Sequence, residues 1–442
     1  MSNTLVTMFK IKELRNRILY TLMILIVYRI GVQIPVPGIN YSALINYLNQ
    51  SQGQTDTLFS YLNFFAGGAF NNLSIFALGI MPYITASIIM QLLMIIVPSL
   101  KRMAEEEGGR KKFNQYVRVG TVLVCLVQSF MTIDFASRLR GQSSIIELNP
   151  FWLFSLTTII ITTCGSLVIM WLGERITEKG IGNGISLIIF AGIVARVPYA
   201  IIDLVKKVRG NQLDIPIVLM ILILLVVIIA LVIYEQQGQR KIPVHYAKRI
   251  IGRKMYGSPP TYLPFKINPS GVIPIIFANS LMMAPQSLGN IFKNVSWVNT
   301  FSNWFAHDKL PYLFFYSILI VFFAYFYTQV TLNPVEIAKN IRENGGAIPG
   351  IPPNKVEEYL MRVLNRIVLP GSIFLAFIAI IPTLIIKFVP DFSHEFAFLL
   401  GGTSLIILVG VDLDTMSQIE SHLKMHHHDG LVKKGKIRSR NF

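Results

Sequence analysis

Residues 215–234 read Ile215-Pro216-Ile217-Val218-Leu219-Met220-Ile221-Leu222-Ile223-Leu224-Leu225-Val226-Val227-Ile228-Ile229-Ala230-Leu231-Val232-Ile233-Tyr234, with no charge anywhere in the run. A helix of about 20 such residues is about 30 Å long, which matches the hydrocarbon core of a bilayer. Comparable apolar cores recur at 18–35, 74–97, 119–133, 151–172, 185–197, 271–288, 310–332, 367–386 and 396–411, which makes ten. Arg29 and Arg196 are the only charged residues inside them. Composition agrees: 53% of the 442 residues are hydrophobic and 14% charged, against roughly 45–50% and about 25% in soluble domains. So little charge cannot cover a soluble surface, which excludes an ordinary cytosolic enzyme and a disordered or fibrous chain. Cys125 and Cys164 both sit in apolar runs, so no disulfide framework is expected. The expected fold class is an all-α polytopic membrane protein.

Orientation follows from charge, because loops rich in Lys and Arg stay cytoplasmic. The N-terminus and the even-numbered segments between spans, with the tail, hold 30 of the 40 Lys and Arg residues, and the opposite side holds 9. Both termini are therefore expected in the cytoplasm. Lys206, Lys207 and Arg209 run against this bias, partly offset by Asp203 and Asp214. The first apolar run follows a basic start but ends in Ile34-Pro35-Val36-Pro37-Gly38, not in a small-residue cleavage site. It reads as a retained span.

A weak internal repeat divides the ten spans. Gly79-Ile80-Met81-Pro82-Tyr83-Ile84 in span two matches Gly271-Val272-Ile273-Pro274-Ile275-Ile276 in span seven as Gly-x-x-Pro-x-Ile. Ser186-Leu187-Ile188-Ile189 in span five matches Ser404-Leu405-Ile406-Ile407 in span ten. Each pair falls at the same place in a five-span half. Since five is odd, the halves have opposite topology about an axis in the membrane plane. Between spans one and two lies one segment of ambiguous character. Residues 57–73, with Phe59, Phe64, Phe65, Gly67, Gly68 and Phe70, are too few to span and too apolar for a comfortable loop. They read equally as an interfacial helix or as a short helix folded back into the protein, where alone irregular backbone is tolerated at depth.

These same segments resemble the SecY family of channel-forming translocase subunits. The resemblance runs from Ile34-Pro35-Val36-Pro37-Gly38 through 74–84, Gly173-Glu174-Arg175-Ile176-Thr177-Glu178-Lys179-Gly180-Ile181-Gly182-Asn183-Gly184-Ile185-Ser186, Gly271-Val272-Ile273-Pro274 and Asn333-Pro334 to Gly401-Gly402-Thr403-Ser404-Leu405. It implies two inverted five-helix halves around a central pore. The chain then divides into an N-terminus (1–17), a first half (18–205) holding a plug helix at 57–73, a second half (206–415) with long loops at 235–270 and 333–366, and a basic tail (416–442).

Carried over by position, the resemblance puts a pore ring at Ile80, Ile84, Ile185, Ile189, Ile276 and Ile407. Read without it, an isoleucine on a membrane helix faces lipid or packs. Apolar constrictions gate by dewetting and hold no passing chain, which suits isoleucine. The plug maps to 57–73, including Phe64, Phe65, Gly67 and Gly68. A lateral gate between spans two and three and spans seven and eight would take Gln128 and Asn279 as lining amides; an ordinary interhelical hydrogen bond explains either equally well. Arg249, Arg253 and Lys254 in the sixth loop and Arg342 in the eighth are candidate docking residues for a ribosome or the SecA motor. A basic cluster suits RNA phosphate or an acidic protein face, and positive-inside bias alone explains its sign but not the loop's length. Where the family usually has an arginine after Pro349-Gly350-Ile351, this chain has Pro352, so Arg342 or Lys355 would substitute. Further implied partners are the small membrane subunits SecE and SecG, preproteins bearing signal sequences, and membrane lipid.

No motif supports an enzyme, a cofactor or a metal site. Residues 430–437 resemble a phosphate loop but lack its closing Ser or Thr and a preceding strand. His422, His426, His427 and His428 read as a solvated tail. The rival class is a secondary transporter with inverted repeats. Ion-coupled transporters place carboxylates or histidines near the midplane, and the ten cores contain none.

Overall fold

The computed structural model describes residues 11–50, 63, 65–106, 108–139, 145–148, 150–210, 214–246, 249–251, 254–256, 261–291, 296–305, 309–388 and 402–433. Fifteen α-helices are named here: α1 Lys12–Gln33, α2 Tyr41–Gln50, α3 Met81–Ile96, α4 Pro98–Glu105, α5 Gly109–Leu139, α6 Phe151–Lys179, α7 Gly184–Val194, α8 Val197–Arg209, α9 Ile215–Gln237, α10 Ile273–Ile291, α11 Ser296–Trp304, α12 Leu310–Thr331, α13 Pro334–Glu343, α14 Val356–Phe388 and α15 Gly402–Lys433. Every expected core overlaps one of them. Among the described residues six helical segments are long and apolar enough to cross a membrane, and a seventh span is the pair α3 and α4, bent by 108°. The other three cores lie in α1, which mixes in Arg29, in α10, whose apolar stretch is short, and in α15, which starts beside residues outside the described set.

The halves meet along two seams. On one, α3 and α5 of the first half pack against α10 of the second; on the other, α7 packs against α15. Within the halves α3 packs on α5, α5 on α6, α10 on α12 and α12 on α14. Their outer faces carry large exposed apolar side chains, among them Leu123, Trp152, Leu219, Ile223 and Phe314, as lipid-facing helices require.

The repeated Gly-x-x-Pro-x-Ile motif has a shared local structure. Gly79 and Gly271 sit at φ 59° and 60°, each two residues before its helix begins. Only glycine adopts that left-handed conformation without strain. Pro82 and Pro274 then occupy the second helical position, where a missing N–H costs nothing. The motif is thus a sharp turn into a helix, built once in each half. This corrects the expected second span: Ser74 bridges to Pro35, residues 75–80 form turns and the helix starts only at Met81. At the other end Pro98 holds Val97 extended (φ −110°, ψ 99°) and breaks α3 from α4. The family-like Asn333-Pro334 is also a helix start, since the Asn333 side chain accepts from the Val335 N–H at 3.2 Å.

The long sixth and eighth loops share one small sheet, absent from the all-α expectation. Strands β1 (Gln239–Tyr246), β4 (Thr261–Lys266) and β5 (Gly346–Ala347) lie in the order β4-β1-β5, all antiparallel, with Ile242 opposite Leu263 and Tyr246 opposite Gly346. β2 (Arg249–Ile251) and β3 (Lys254–Tyr256) form a separate hairpin. Ile242 and Val244 point inward and join Phe265, Ala338, Ile341, Ile348, Val356, Leu360 and Leu364 in a satellite core. Both loops are therefore packed on the first turns of α14.

Candidate functional site

The middle of the molecule is one apolar cluster to which both halves contribute. Ile80, Ile84, Ile189, Ile276 and Ile407 belong to it, 3%, 6%, 3%, 8% and 0% exposed, and Ile185 is half-buried against it. Exposures so low leave no wetted passage along these five side chains. Ile185 also lies close to Gly173 of α6. Phe65, Ala66, Ala69 and Phe70 of the expected plug join the same cluster.

In the described part of 57–73, Asn63 and Phe65 are helical and 66–73 form turns; Phe64 and residues 57–62 lie outside the described residues. Gly67 and Gly68 account for the turns, with φ of 65° and 95°, which a right-handed helix excludes. The turn is built on buried Asn63, whose carbonyl accepts from Gly68 N–H at 2.9 Å and whose side-chain oxygen accepts from Asn71 N–H at 2.9 Å. A Cβ on Gly67 would stand 2.7 Å from Gly192 Cα, so the turn lies directly against α7.

Asn279 of α10 is buried, and its Nδ2 is without a close hydrogen-bond partner among the described residues. The Tyr316 hydroxyl, beside it on α12, lacks one as well. Gln128 of α5 is half-buried. Nearby, α5 and α6 are joined by Arg118, whose Nε and Nη2 donate to the Glu174 carboxylate at 3.1 and 2.7 Å.

Of the docking candidates, Arg253 lies outside the described residues, while Arg249 and Lys254 fall in the hairpin strands β2 and β3. Arg342 is exposed near the end of α13 and donates from Nη2 to the Pro353 carbonyl at 3.4 Å. It therefore stands next to the position where Pro352 replaces the family's usual arginine.

Two features escaped the sequence reading. Arg29 and Arg196, noted only as exceptions, both flank the Gly67-Gly68 turn. Arg29 Nη1 donates to the Gly67 carbonyl at 3.0 Å, and a Cβ on Gly68 would stand 3.6 Å from Arg196 Cζ. Glu235 follows the sixth apolar core immediately and is buried beside Asn268 and Gln236. Its place at the end of α9, away from the middle of the span, is unlike a coupling carboxylate of a transporter.

Comparisons with known proteins agree with this architecture. The SecY family model matches residues 74–416. A protein translocase subunit SecY from Aquifex aeolicus is 44% identical, covering 98% of this chain and 100% of its own. The Escherichia coli K12 subunit of the same name is 39% identical, covering 96% and 95%. Among solved structures, one described as a protein-conducting channel has a TM-score of 0.63 at 19% identity, covering 92% of both chains. Another, described by a plug domain that stabilises the closed state of the translocation channel, has a TM-score of 0.61 at 19% identity over 92% of both chains. With its ten spans, its two-half build and a family match over most of its length, the chain belongs to the SecY family.

Proposed function

We propose that this chain is the channel-forming subunit of a bacterial protein translocase. It passes unfolded secretory polypeptides across the cytoplasmic membrane and releases transmembrane segments sideways into lipid. The observation that carries the reading is the central cluster, where isoleucines from both halves and the buried residues 65–70 share one apolar core. Ile80, Ile84, Ile185, Ile189, Ile276 and Ile407 form the ring, the segment 57–73 is the plug, and the α3/α5–α10 seam with Gln128 and Asn279 is the gate. The protein is not an enzyme; energy comes from partners. Those partners are SecE and SecG in the membrane and the SecA motor or a ribosome at the loops. Both termini and the shared sheet face the cytoplasm, in line with the excess of Lys and Arg on that side.

The test is reconstitution in vesicles with SecE, SecG, SecA and ATP, measuring protease protection of a preprotein inside. Protection that depends on this chain is expected. Uptake of a small solute without any protection of the preprotein would favour the transporter class instead.

The docking role has its own readout. Changing Arg253 and Lys254 together to Glu reverses two charges in the sixth loop. Binding of ribosome or motor should fall about tenfold at low salt, and what remains should depend less steeply on salt, because ionic contacts are lost. Span insertion should be normal. Binding that is unchanged at low and high salt alike would reduce the cluster to a determinant of topology.

A further inference from the structure

We propose that Arg29 and Arg196 form a two-point latch that holds the plug in the closed channel and draws it back after each passage. The proposal rests on the plug reading of 57–73 given above.

Ten spans contain only these two charges, and they come from different helices. Arg29 is in α1, and Arg196 is in the break between α7 and α8. A cation within a membrane span is costly and is kept where it has work to do. Each cation meets one residue of the same Gly-Gly pair. The Gly67 carbonyl accepts from Arg29 Nη1 at 3.0 Å, and Gly68 passes close to the Arg196 guanidinium. Just before them the Ala66 carbonyl accepts from the Tyr28 hydroxyl at 3.4 Å.

The form of the turn fits this docking. With φ of 65° and 95°, Gly67 and Gly68 give the chain a conformation that a side chain would strain, and the lack of a Cβ on Gly67 admits Gly192 of α7. Asn63 holds the turn together from within, so the plug meets the arginines as a preformed unit. In the closed state the Gly67 carbonyl dipole solvates the Arg29 cation. When the plug leaves, that cation loses its acceptor and needs water. The asymmetry favours return, and charge-assisted bonds are the stronger kind.

Single-channel recording of the reconstituted complex tests this, with Arg29→Gln, Arg196→Gln and the pair placed in the intact chain and in a chain lacking 57–73. In the intact chain each single change should raise resting opening frequency about tenfold, and the pair further. In the deleted chain the same changes should alter conductance less than twofold, because the latch has nothing to hold. Arg29→Lys, which keeps the charge but loses the planar fork, should fall between parent and Gln and serves if the Gln variants insert poorly. An equal rise with and without the plug would place the arginines' effect elsewhere and overturn the latch, as would no rise in the intact chain. A deleted chain that is itself as tight as the parent would instead overturn the plug reading.

Discussion

Replacing Ile84 and Ile276 together with Gly should raise resting ion flux through the reconstituted channel at least tenfold. The two come from α3 and α10, one from each half, and both are buried in the central cluster. Losing both side chains opens space in the constriction from two sides, and water can then wet it. Val or Leu at the same positions should leave the seal nearly intact, since β-branched or equally bulky side chains keep the volume. The Gly pair also removes packing, where large-to-small changes cost about 2–5 kcal/mol each, so assembly with the partner subunits must be checked in the same preparation. Deleting 57–73 should add to the leak of the Gly variant, because plug and ring act as barriers in series. If the double Gly channel with the plug removed stays as tight as the parent, Ile84 and Ile276 do not line the pore.

The second large effect is expected at the first seam. Cysteine pairs on the facing sides of α3 and α10, near Ile84 and Ile276, should crosslink in a background without Cys125 and Cys164. The two helices pack directly against each other, and a disulfide needs Cα atoms about 4.4–6.8 Å apart. Once formed, it should abolish insertion of signal sequences almost completely, and reductant should restore it. Complete crosslinking with normal insertion would mean that substrates leave by another route.

Much of this was legible in the residues, and where it was not the cause is specific. The spans were readable because an uninterrupted apolar run such as 215–234 has no alternative in water. The start of span two was misplaced because 74–80 is as apolar as a helix, and hydropathy does not distinguish buried turns from buried helix. Gly79 before Pro82 was the available signal, and the same pair at Gly271 and Pro274 repeats it. The alternation of Lys241, Ile242, Pro243, Val244 and His245 was a strand signal, overshadowed by the charge of the loop. The ring isoleucines carry no mark of their own, since one isoleucine in an apolar helix looks like any other, and only the family resemblance separated them. Arg29 and Arg196 were visible as exceptions, but their partner is backbone far away in the sequence, which leaves no pattern to read.

The shared sheet of the two long loops sits on α14, and that placement couples the two. Val356, Leu360, Val363, Leu364 and Ile367 of α14 all enter the satellite core, so the packing runs down to the first residue of the expected apolar core. From the other side, β1 begins two residues after α9 ends. The sheet is thus braced between two helices that continue into the apolar part of the molecule, and a displacement of the sheet carries the start of α14 with it.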